Sequence, residues 1–194
     1  MNLAALQEEL RAVLRDTTVE PLFVQWINDE LLQLAYEFDL PGLRLKTPAS
    51  LTTTTANWQY NLTAATHASG YTFQKTIWKV TNDLFETGMR IDTDLQMIDE
   101  IDPDHSDTGN DVQRVAYELD GATNAIFGIW PMANDVLSLW FFRRPTVLTG
   151  DADIPEFPDA HHFDVLIPRV ILRAFRVYPE LATEGGAGDS ARAL

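Results

Sequence analysis

Chemistry-bearing side chains cluster in two short stretches and one helical stripe of this chain. The first stretch is "DPDHSDTGND", residues 102–111, whose spaced carboxylates are of the kind that hold calcium. A helix–loop–helix calcium site begun at Asp104 would place Ser106, Thr108 and Gly109 suitably. It would then put Val115 where a bidentate glutamate is required, so the stretch reads as a solvated loop. The second stretch is "HHFD", with His161, His162 and Asp164. Adjacent helical residues project about 100° apart, so the two imidazoles cannot chelate from one face. They read as first-turn residues of a helix with Asp159 as its N-cap.

The stripe is Arg169, Arg173 and Arg176, spaced four and three along the last helix and opposite its apolar face. Such a stripe is either a solvated face or a surface for the acids of a neighbouring copy, because arginine is favoured in interfacial ion pairs. Arg143 and Arg144 pose the same choice at the end of "VLSLWFF". These five arginines are the expected subunit-interface residues.

Catalysis has no comparable footing. There is no glycine-rich phosphate loop and no Gly-x-Ser-x-Gly elbow, and carboxylates are too plentiful to single out a pair. The chain has no cysteine, which removes disulfides, zinc–thiolate sites and thiol nucleophiles. The expectation is a protein that is not an enzyme, with no catalytic residue, cofactor or metal ligand.

The elements that position these residues follow from periodicity. Leu3, Leu6, Leu10 and Leu14 mark a first helix, with Thr17 or Thr18 capping a second. In that second helix Phe23, Ile27, Leu31, Leu34 and Phe38 form a stripe flanked by Trp26, which places helices in 1–40. Residues 45–90 read as β-rich, with Trp58, Tyr60 and Leu62 alternating, and Trp78 and Val80 sharing one side of a later strand. A short helix is expected over 92–102, with Leu95, Ile98 and Ile101 inward. A three-stranded meander over 112–145 ends in "AIFGIWPMANDVLSLWFFRRPTVLTG", read as a hairpin turning at "PMAND". Its second strand is apolar on both faces, so both need cover. A last helix over 159–182 buries Phe163, Ile167, Val170, Ala174 and Tyr178, with a kink or delayed start at Pro168. The fold class is α+β: three to four helices carrying an antiparallel β-rich portion, as one domain over 1–183. A flexible C-terminal tail, 184–194, follows; its clustered glycines give it no core to bury.

Composition narrows the partners. The chain has 194 residues, with 14 Lys and Arg against 29 Asp and Glu, for a formal net charge of −15. That balance disfavours binding to a phosphate backbone. The acidic N-terminus is not a signal peptide, and "VLSLWFF" is too short to span a bilayer as a helix, so a soluble intracellular product with no membrane partner is expected.

In architecture, most of the chain resembles the head-to-tail adaptor proteins of tailed bacteriophages, the ring proteins below the portal. The resemblance rests on "WINDELLQLAYEFDLPGLR" and "SLTTTTANWQYNL". It rests further on Trp130-Pro131, on Phe142-Arg143-Arg144-Pro145, and on Ile154-Pro155-Glu156-Phe157-Pro158 before the last helix. The chain departs from that pattern in its acidic 103–111 loop and its glycine-rich ending. The resemblance implies a virion structural protein made in the host cytoplasm and located in the neck. It implies a homo-oligomeric ring of twelve copies that docks on the portal and on the next neck or tail component. Genomic DNA would pass through it without sequence-specific binding. It also implies a portal-gripping tail anchored by Arg192 and Leu194. Alternatives at this level are another tail-completion or tube protein, and a virion-associated cell-wall hydrolase.

Overall fold

A computed structural model of the chain describes residues 1–120, 124–179 and 181. They form two compact units: one built from Met1–Gly42 and the described residues from Pro145 onward, the other from Leu43–Arg144. The fold is α+β, with four α-helices and two sheets among the described residues. None of these helices is long and apolar enough to cross a membrane.

The first unit is helical. Helix α1 (Leu3–Leu14) buries Leu3, Leu6, Leu10 and Leu14, the stripe its spacing implies. Asn2 caps it by accepting from the Ala5 N–H at 3.1 Å, and Arg15 ends it with φ of 50°. Neither Thr17 nor Thr18 caps the second helix; Asp16 instead accepts from Thr18, closing the turn. Pro21 lies in a short 3₁₀ turn, Glu20–Leu22, after which α2 (Phe23–Glu37) begins. Phe23, Ile27, Leu31 and Leu34 are buried as expected. Phe38 is not: it sits past the helix end in extended backbone and is 52% exposed.

The last helix departs from simple periodicity in an instructive way. A 3₁₀ turn, Asp159–His161, runs into a π turn, His162–Leu166, and α4 proper is Ile167–Val177. Pro168 falls in the first turn of α4, where its missing N–H is not needed, so the delayed start is realised. The wider π turn rotates the register: His162 and Leu166 are buried, while Phe163, expected inside, is exposed. Ile167, Val170 and Ala174 are buried as their spacing requires. Asn28 of α2 pins the segment leading to this helix, donating to the Leu148 carbonyl at 2.9 Å and accepting from its N–H at 2.8 Å.

The second unit is a sandwich of two sheets. The first sheet has the order β1 (Ala49–Thr52), β7 (Val136–Arg143), β3 (Phe73–Thr81), all antiparallel. The second has the order β2 (Gln59–Asn61), β6 (Asn124–Trp130), β5 (Arg114–Asp120), β4 (Ile91–Asp92), with only β4 and β5 parallel. The expected meander is therefore corrected. β5 and β6 pair, but β6 and β7 belong to different sheets, and "PMAND" carries the chain from one to the other. The reason is in β7 itself. Leu137, Leu139 and Phe141 fill the shared core, and the central place between β1 and β3 satisfies both its edges.

Between the sheets, Leu51, Val80, Val115, Phe127 and Ile129 join those three residues in one apolar core. On the far side of the second sheet, α3 (Gln96–Ile101) sets Leu95 and Ile98 against Ala116, flanked by Trp58, Ile126 and Trp130. Its approach is closest at Gly128, where an added side chain would have to displace the ends of Leu95 and Ile98. A Cβ there would lie 2.7 Å from Leu95 Cδ2 and 2.9 Å from Ile98 Cδ1. β3 breaks its own alternation. Register shifts between Phe73 and Lys79, with Thr76 at φ 45°, leave Val80 in the core and Trp78 half-buried on the outer face, where the two were expected together. The expected tail, 184–194, lies outside the described residues.

Candidate protein–protein surfaces

Two of the three arginines in the α4 stripe pair with acids of α2. Arg169 donates from Nη1 and Nη2 to the two oxygens of Glu37, each at 2.8 Å, and from Nε to Glu30 at 3.1 Å. Arg173 reaches Asp29 at 2.6 Å and the other Glu30 oxygen at 3.3 Å. Arg169 meets the end of α2 and Arg173 its middle, so the helices run antiparallel, with Glu30 shared between the two arginines. Glu37 pulls the Arg169 guanidinium's pKa upward, and Arg169 with Gln33 holds the Glu37 carboxyl below its ordinary range. Arg176, one turn further, is exposed and has no acidic partner among the described residues. It lines a groove of about 510 Å³ with Gln33, exposed Leu172 and exposed Val177, floored by the Glu30–Arg169–Arg173 cluster.

Arg143 and Arg144 differ from each other. Arg143 is buried, its guanidinium 3.9 Å above the Tyr71 ring, with Nη1 donating to the Arg144 carbonyl at 3.3 Å. Arg144 is half-buried and borders a cavity of about 220 Å³ beside Asn61, Thr63 and Phe73. Its Nε is shielded and has no hydrogen-bond partner.

The outer face of the first sheet holds what periodicity alone could not assemble. Cross-strand neighbours Lys79 and Trp140 stack, with Nζ 4.6 Å from the ring centroid. Arg44 lies 3.8 Å over Trp78, and the two indoles approach at 6.2 Å. Such cation–π contacts contribute on the order of 0.5–1 kcal/mol each at exposed positions. The only trace of this face in the sequence is the second apolar side of β7.

The acidic loop is folded inward more than its composition implies. Buried Asp102 accepts from the Ser106 and Asp107 N–H groups, at 3.2 and 2.9 Å. His105 stacks on Trp58 with centroids 3.6 Å apart, and Trp130 Nε1 donates to Asp107 at 3.3 Å. His162, fully buried, donates from Nε2 to the Phe157 carbonyl at 2.7 Å, and burial pushes its pKa down. Asp159 caps no helix by side chain; it accepts from the Met1 amino group. Among the described residues, no group of three or more His, Asp or Glu is placed to hold a metal ion. Arg192 and Leu194 lie outside the described residues.

Paired helices with an ion-pair seam, and a sandwich whose outer face is aromatic and cationic, present surfaces suited to other proteins. The chain belongs to the SU10 adaptor protein family, whose model matches residues 1–193, and it is a phage head-to-tail adaptor protein with a structural role in the virion. No curated protein matches it.

Proposed function

We propose that the protein assembles into a ring that docks on the portal, extends the DNA channel and joins the capsid to the tail. The observation that carries this reading is family membership across essentially the whole chain. The surfaces support it. Arginines line the groove of the helical unit and aromatics with cations the outer face of the sandwich, residue types enriched at interface centres. A net charge of −15 favours passage of DNA over adhesion to it. In the ring, Arg176 and Arg144 are the arginines with donors left for an acidic neighbour, while Arg169 and Arg173 hold α4 on α2. The family resemblance supports a ring of twelve copies. Residues 184–194, with Arg192 and Leu194, are the proposed portal contact.

Sedimentation velocity of the protein with and without the portal of the same phage tests this. The portal should gain mass in a saturable step corresponding to a closed set of copies. A portal peak that does not move at any excess of this protein would contradict the proposal.

A further inference from the structure

Charge in the sandwich unit is unevenly divided between its two sides. The three lysines of the chain, Lys46, Lys75 and Lys79, all fall on β3 or in the approach to β1. Residues 44–52, 73–81 and 136–143, which make the first sheet and its approach, contain no Asp or Glu. Residues 91–113 are richer in acid, with eight carboxylates between Arg90, which pairs with Asp92 at 3.0 Å, and Arg114. Strand alternation fixes where the two sets lie. Along β5 and β6, Val115 and Phe127 face the inter-sheet core while Ala116 and Ile126 turn to α3. Along β7, Leu139 and Phe141 face the same core, so Trp140 turns to the opposite exterior.

We propose that copies of this unit associate head to tail, the Arg44–Lys79–Trp140 face of one receiving the Asp99–Glu100–Asp104 face of the next. Two unlike patches on opposite sides of one subunit make a heterologous contact, the kind that closes into a ring when its rotation closes. The inference rests on the ring reading above and deepens it by naming the two faces. Trp78 and Trp140, both half-buried, supply apolar area. The Arg44 and Lys79 cations, already seated on indole rings, supply the charge that steers acidic groups into place. Asp99, Glu100 and Asp104 are exposed; Asp99 also lies 3.1 Å from His105 Nε2, which leaves Glu100 and Asp104 as the principal acceptors for such a partner. The occupant is a second copy and not DNA, because a chain of net charge −15 repels a phosphate backbone while offering carboxylates of its own.

The absence of cysteine makes the test direct. Ser138→Cys places a thiol on the aromatic face and Asp104→Cys one on the acidic face. The two variants, shown by thermal melting to be folded, are mixed with the portal of the same phage and treated with a bismaleimide. A covalent dimer should form in the mixture and from neither variant alone. Arg44→Glu combined with Lys79→Glu should weaken association about tenfold, and Glu100→Lys with Asp104→Lys in the partner should restore part of it. Rings seen by negative stain without the mixed crosslink would overturn these faces and leave the ring standing. Absence of rings would overturn both. Binding of a labelled DNA duplex that the Arg44→Glu, Lys79→Glu variant loses, without the mixed crosslink, would assign the face to nucleic acid and overturn the proposal.

Discussion

Arg169 grips Glu37 through both terminal nitrogens at 2.8 Å, and the same guanidinium donates to Glu30 from its Nε. The two contacts should not be equal in worth. Glu37 is at the surface, where pairing is screened; the Glu30 side chain is only 7% exposed. Arg169→Met should therefore destabilise the protein by about 1–2 kcal/mol, below the value for a fully buried pair because Arg173 still holds Glu30. Glu37→Gln should cost much less. Urea denaturation of the two variants checks the order, and equal effects would contradict it.

The same pair sets an acid limb. Hydrogen bonds from Arg169 and Gln33 keep the folded-state pKa of Glu37 below its ordinary 4.5. Its contribution is complete above that value and is lost as pH falls through the lowered one. Glu37→Gln should flatten this part of the stability profile at acid pH.

Gly128 should resist substitution. An added Cβ meets the ends of Leu95 and Ile98, so Gly128→Ala must lift α3 or rotate both side chains, at about 1–3 kcal/mol. Leu95→Ala in the same chain should offset part of that loss, giving a non-additive double-mutant cycle by thermal or urea unfolding. Additive effects would mean that α3 does not press on this point.

His162 should make stability depend on pH near neutrality. Burial lowers its folded-state pKa from 6.5, so the unfolded chain takes up a proton more readily than the folded one. Stability is full above 6.5 and falls as pH drops toward the lowered value. Melting temperatures from about pH 8 to about pH 5 should decline for the native chain and decline less for His162→Gln.

Much of this was legible in the sequence where one period governs one face. The leucines of α1, the two apolar faces of β7, and the inward Leu95 and Ile98 all follow from spacing. What was not legible depends on breaks in period or on partners distant in sequence. The π turn that exposes Phe163 leaves no mark beyond Pro168. The β3 register shifts that separate Trp78 from Val80 leave no mark in "YTFQKTIWKVTN". The acids that meet Arg169 and Arg173 are far from them along the chain, so the stripe could be read but not its counterpart. "PMAND" carries ordinary turn chemistry, and nothing local says that it joins two sheets.

The C-terminal proposal has its own test. Deleting residues 184–194, including Arg192 and Leu194, should leave the melting temperature unchanged and sharply reduce binding to the portal in a sedimentation or interferometry assay. A truncated protein that binds with undiminished affinity would remove this segment from the portal contact.

Electron cryo-microscopy of the protein mixed with the portal of the same phage, reconstructed without imposed symmetry, tests the central claim most directly. A closed ring of twelve copies on the tail-facing end of the portal, coaxial with its channel, is the predicted result. Portals left bare at saturating protein, or copies bound away from the channel axis, would contradict the account.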